Sequence, residues 1–182
     1  MSRMNWVPMS LFKRLFGSAD PDPKLVLVPL YDQIVAKARE LHWYEAGQVQ
    51  DSVDGRFDMV AAILSLVLLR LEGTPAHAQD MAYLTEVFVD DMDGQLREFG
   101  IGDMIVGKHM GKIMGAIGGR LTAFRGALAD NGLLDDAVLR NIYRNETAAP
   151  NALAHVRDGL LVVERSLAAQ SPEAIVKGNA QW

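Results

Sequence analysis

Apolar residues recur at helical spacing along most of the chain from residue 25 onward. Leu30, Ile34, Ala38 and Leu41 fall three and four apart and predict a helical segment over 25–45. Residues 53–72 place Phe57, Val60, Ala61, Leu64, Leu68 and Leu71 on one stripe, while Met59, Ile63, Leu66, Val67 and Leu69 fill the other faces. A helix apolar nearly all round belongs at the centre of a fold. Met81, Leu84, Val87, Phe88, Met92 and Leu96 repeat the spacing over 77–99. Further segments span 103–130, 133–146 and 150–169, the last with Pro150 in its first turn, and a short piece starts at Ser171-Pro172. Strand signals are poor: Leu25-Val26-Leu27-Val28 is the one β-branched run, and it abuts Pro29. The pattern predicts an all-α, single-domain bundle of about six to seven helices. The expected division is a tail and linker over 1–24, a helical domain over 25–170 and a C-terminal tail over 171–182.

The first 24 residues depart from this pattern. Trp6, Val7, Leu11, Phe12, Leu15 and Phe16 surround Arg3, Lys13 and Arg14. Leu11/Leu15 and Phe12/Phe16 are four apart and would share a helix face. Trp6, Leu11, Phe12, Lys13, Arg14, Leu15 and Phe16 are therefore candidates for contact with an anionic membrane surface. A docked or unstructured tail is the alternative. Gly17 to Pro23 reads as a linker. The longest apolar run, Met59 to Leu69, is broken by Ser65 and ended by Arg70, short of the roughly 18 residues a membrane span needs. No secretory signal pattern is evident at the N-terminus.

Composition narrows the function classes. With 182 residues, 49% hydrophobic and 23% charged, the chain resembles an ordinary globular domain. A net charge of −5 argues against general nucleic-acid binding, and no specific nucleic-acid partner is expected. The absence of cysteine excludes disulfides, thiolate metal sites and cysteine nucleophiles.

The densest polar stretch runs from Asp90 to Asp103 and closes at Gly107-Lys108. Gly102-x4-Gly107-Lys108 imitates a phosphate-binding loop, but His109 stands where a hydroxyl should hold magnesium. The residues before it, Gln95 to Ile101, are also a polar helix end rather than an apolar strand. Gly100 and Gly102 are better read as ending one helix, with Asp103 as N-cap of the next. Asp90, Asp91 and Asp93 lack the alternating ligands and closing glutamate of a calcium loop, and Asp93 and Arg97 are spaced to pair on a helix. His42, His77, His109 and His155 are scattered, and no nucleophile elbow exists, so neither catalysis, a metal nor a cofactor is expected.

The second polar segment runs from Asp51 to Asp58. Ser52 or Asp54 can cap the central helix, Asp58 suits its first turn, and Gly55 reads as a turn residue. Arg56 opposes the helix dipole, so it should pair with an acid in the fold or on a partner. Gly107, Gly111, Gly115 and Gly119 would stack into a ridge without side chains, implying close approach of another helix, of another chain, or else flexibility. Met92, Met104, Met110 and Met114 near the polar stretch fit either core filling or an adaptable apolar surface.

These two polar segments carry a resemblance. Val53-Asp54-Gly55-Arg56-Phe57-Asp58-Met59, then Phe88-Val89-Asp90-Asp91-Met92-Asp93, Leu96-Arg97-Glu98-Phe99-Gly100-Ile101-Gly102-Asp103 and Val106-Gly107-Lys108, resemble the ubiquinol–cytochrome c chaperone family, over roughly residues 28–170. Its mitochondrial members are the Cbp3-type assembly factors of the cytochrome bc1 complex. The resemblance implies a non-enzymatic chaperone whose client is cytochrome b or a bc1 assembly intermediate, with a small partner protein or the ribosome nearby. The implied partner surface comprises Asp54, Arg56, Asp58, Asp91, Asp93, Arg97, Glu98, Asp103 and Lys108. Gly55, Gly100, Gly102 and Gly107 are the turn positions. No long Arg- and Ser-rich transit peptide precedes the domain, so a bacterial cytoplasmic location at the inner-membrane face is expected. The competing readings are a helical adaptor for another membrane client and a nucleotide-binding enzyme.

Overall fold

The computed structural model describes residues 22–98, 103–130 and 133–182, and the side chains of 95–98, 103–110 and 112 lie outside that description. Among the described residues every regular element is helical. A 3-10 turn, Pro23–Leu27, leads into α1 (Val28–Ala38). Then follow α2 (Leu41–Tyr44), α3 (Val53–Glu72), α4 (Ala78–Glu98), α5 (Asp103–Ala129), α6 (Leu134–Asn141), α7 (Pro150–Ala168) and α8 (Pro172–Val176).

The central helix is α3, as its pattern predicts. It packs against α1, α4, α5 and α7. Met59, Ala61, Ala62, Ile63, Leu64, Val67 and Leu71 are fully buried. Ser52 starts it by accepting a hydrogen bond from the Gly55 N–H at 3.2 Å. A single segment over 25–45 is not what forms. Pro29 sits in the first turn of α1, and the helix stops at Arg39. The released carbonyls are taken by side chains downstream: the Trp43 indole donates to Lys37 O at 2.8 Å and the Tyr44 hydroxyl to Ala38 O at 2.8 Å. Trp43 is then buried against Gly159 of α7, where an added Cβ would lie 2.7 Å from its ring.

Residues 171–182 pack onto the helical domain. Ser171 caps α8, Ile175 is fully buried, and Ala180 packs against the core. Gln33 of α1 donates to Gly178 O in this segment, and Arg70 of α3 secures the approach to it, donating to Leu167 O at 3.0 Å at the end of α7 and to Gln170 O beyond.

The glycine ridge differs from expectation. At Gly111, Gly115 and Gly119 an added Cβ would meet nothing within 4 Å. No helix is drawn close there among the described residues. Gly107, the fourth member, falls outside the side-chain description. Of the methionines, Met92 is buried in the core, Met114 is half-exposed, and Met104 and Met110 lie outside the described side chains.

Candidate functional site

The first two turns of α3 bring Asp54 and Asp58 onto one face, four residues apart. Their fates differ. Asp54 is exposed, while Asp58 is 1% exposed. A buried carboxylate requires partners, and Asp58 has two. The Arg120 guanidinium, from α5, donates to one oxygen. Arg144, just past α6, donates through Nε to the other at 2.6 Å. Arg144 also reaches Asp54 at 2.7 Å, closing the cluster at the surface. Arg120 is itself buried and donates further to Ala116 O at 3.2 Å and Asn141 O at 3.0 Å. Burial pushes the Asp58 carboxyl up against the pull of both arginines, and burial lowers Arg120. The Asp58 carboxylate raises Arg144.

The backbone around this cluster is unusual. The non-glycine residues at positive φ among those described are Gln48 (49°), Arg144 (55°) and Asn145 (63°). Each costs on the order of 1–3 kcal/mol, so surrounding contacts must fix it. Gln48 and Arg144 line a polar cleft of about 90 Å³ with Gln50, Asp58, Tyr143 and Glu146. The Tyr143 hydroxyl donates to Gly47 O and ties the two strained loops together.

Gly55 is a correction. It is not in a turn but in the first turn of α3, buried, where an added Cβ would overlap the Gln50 carbonyl oxygen. Asp58 is another: its carboxylate is buried and bound within the fold by Arg120 and Arg144. Arg56 finds its acid in the fold, donating to Asp51 at 2.6 Å on the surface.

Aromatic rings connect this site to the second polar segment. Arg120 stacks on Phe57 at 5.5 Å, and Phe57 packs on Phe88 of α4 at 5.8 Å. Phe88 in turn meets Tyr31 of α1 edge-on at 6.3 Å. The Tyr31 hydroxyl donates to Asp91 at 2.6 Å, and burial with this bond drives its pKa upward. Asp54, Asp58 and Asp91 thus stand on one contiguous network. Asp93 lies half-buried two residues on. Asp103 and Gly107-Lys108 fall in α5, so Gly107-Lys108 is helical backbone rather than a phosphate loop. Gly100 and Gly102, the side chains of Arg97, Glu98, Asp103 and Lys108, the Asp93–Arg97 pair, and the candidate membrane residues Trp6, Leu11, Phe12, Lys13, Arg14, Leu15 and Phe16 all lie outside the described residues.

Arg120, Arg144 and Tyr31 escaped the sequence reading. Arg120 left one trace, a cation between the apolar positions Ile117 and Phe124. Arg144-Asn145 left another, since asparagine tolerates positive φ. Histidines scattered along the chain are not all scattered in space. His42 Nδ1 lies 2.9 Å from His155 Nε2, and His42 Nε2 lies 3.0 Å from Glu40.

Three comparisons bear on this geometry. The family model described as ubiquinol-cytochrome C chaperone matches residues 45–182. A crystal structure of the Cbp3 homolog from Brucella abortus superposes with a TM-score of 0.77 and 31% identity, covering 95% of this chain and 94% of that one. A comparison with curated proteins finds no match. The matched span takes in the Asp54–Asp58 segment, both arginines that hold it, and the polar stretch beyond Phe88, so this chain belongs to the ubiquinol–cytochrome c chaperone family.

Proposed function

We propose that the protein assists assembly of the cytochrome bc1 complex, respiratory complex III, by binding cytochrome b or its immediate assembly partner. The observation that carries this reading is the family match across 45–182, which contains both polar segments. The binding surface is the exposed side of the network: Asp54, Arg56 and Arg144, continued by Asp91, Asp93, Arg97, Glu98, Asp103 and Lys108. Arg97, Lys108 and Arg56 supply charge-assisted hydrogen bonds, and the acids complement basic groups on the client. Asp58 acts from beneath, fixing Arg144 and through it Asp54, so the surface is pre-organised before a client arrives. Nothing in this role calls for an activated nucleophile.

A client made into the membrane places the work at the cytoplasmic face of a bacterial inner membrane. No helix of the described residues is long and apolar enough to cross that membrane itself. The test is deletion in the native bacterium, followed by native-gel analysis of complex III. Loss of assembled complex is expected. Restoration is expected with the wild-type gene and not with an Asp54→Lys/Arg56→Glu variant of unchanged Tm. Normal bc1 assembly in the deletion strain would sink the reading.

A further inference from the structure

An apolar groove of about 380 Å³ runs between α4 and α5, floored by Leu68 of α3. Met81, Thr85 and Val89 form one wall, and Met114 and Leu121 the other. Gly111 and Gly118 share the face of Met114 and Leu121 by helical spacing, and among the described residues neither has a neighbour within 4 Å of an added Cβ. The groove is therefore shallow-walled and open, and Met114 is 49% exposed. Its volume falls in the ligand-pocket range of roughly 300–1,000 Å³.

We propose that this groove is a docking site for the chain's own residues Leu11–Phe16. Three observations converge on that occupant. The first is charge. Residues 1–21 hold Arg3, Lys13 and Arg14 against Asp20, while α4 holds six acids against the single Arg97. Glu86 is exposed and is the acid that lines the groove. The second is the point of entry. Lys24 grips Asp90 at 2.6 Å, so the chain joins the fold one residue from groove-lining Val89. The third is length. From Phe16 to Asp22 the chain can span about 20 Å, whereas Met81 to Val89 covers about 12 Å of helix. As a helical turn, Leu11, Phe12, Leu15 and Phe16 make one apolar face with Lys13 and Arg14 on its flanks. That face fits the groove, and Lys13 or Arg14 meets Glu86. The docking does not depend on which client the domain serves.

The chain has no cysteine, so disulfide trapping in the full-length protein is unambiguous. Lys13→Cys with Glu86→Cys, exposed to oxidised glutathione, should close within the monomer about tenfold faster than Lys13→Cys with Arg140→Cys. Adding Phe12→Asp and Phe16→Asp should remove the difference. Equal closure rates, or disulfide dimers only, would overturn the proposal, the latter in favour of a second copy. No closure, together with flotation on phosphatidylglycerol vesicles, would overturn it in favour of a lipid surface.

Discussion

At its N-terminal end α3 meets the rest of the protein through a buried charge cluster, and around Leu68 through apolar surface, with Arg70 and the exposed Glu72–Arg125 pair beyond it. Around Asp58 the contacts are tight: two arginines converge on one carboxylate, three residues sit at positive φ, and Gly55 is pressed against a carbonyl. Around Leu68 the described neighbours stand apart, leaving a groove bordered by glycines that no other described residue approaches. A charge taken out of water tolerates no gap, because each unpaired group costs several kcal/mol. Apolar side chains tolerate one, because leaving a methyl partly wet costs under about 1 kcal/mol. The polar end is thus built to stay fixed and the apolar end can afford to be open.

The largest effect should come from breaking the polar end. Asp58→Asn leaves the buried Arg120 guanidinium with carbonyl partners only, and should destabilise the fold by about 3–5 kcal/mol. Urea denaturation measures it. Replacing both partners, Asp58→Leu with Arg120→Met, should recover most of that loss, since an apolar pair leaves no buried charge behind. A double variant as unstable as the single one would show that Arg144 or the strained loops, not the buried pair, govern this end.

Glycine substitutions set the two ends directly against each other. Gly55→Ala forces a Cβ onto Gln50 backbone and should cost about 1–3 kcal/mol. Gly115→Ala enters open space on a helix and should stabilise by about 0.5–1 kcal/mol. The signs should be opposite in the same urea assay. Destabilisation at Gly115 would mean that something covers α5 there.

How much of this was legible depended on range. The bounds of α3 were readable as 53–72 because both signals are local: a capping Ser52 and an all-round apolar run. The break after Ala38 was not, because it rests on Trp43 and Tyr44 turning back to take carbonyls. The acids of the site were readable, and their roles were not. Asp58 looked like a helix-end acid for a partner, yet its own partners lie 62 and 86 residues away at Arg120 and Arg144. Nothing local marks such a pairing. Of the three readings of the glycine ridge, the described residues set aside only a closely packed helix of the fold, and the sequence hides this for a related reason. Small residues permit close approach, but only a partner elsewhere in the fold makes it happen.

The smallest expected effect concerns a charge contact just beyond the C-terminal end of α3. His77, in the turn after it, holds Asp80 at 2.8 Å through Nδ1 and faces Glu173 of α8 at 3.5 Å through Nε2. The Asp80 hydrogen bond, with a further contribution from Glu173, raises His77 above its ordinary value despite burial. A raised imidazole favours the folded state when charged. Its contribution is therefore complete below the unfolded pKa, near 6.5, and is lost as pH climbs through the raised folded value. Melting followed from pH 6 to pH 8 should show the wild type losing about 1–3 °C more than His77→Gln. The two proteins differ at this position alone, so the difference isolates His77. Parallel pH profiles would mean that α8 is held by the buried Ile175, the Ser171 cap and the Gln33–Gly178 hydrogen bond, with no charge contribution from His77.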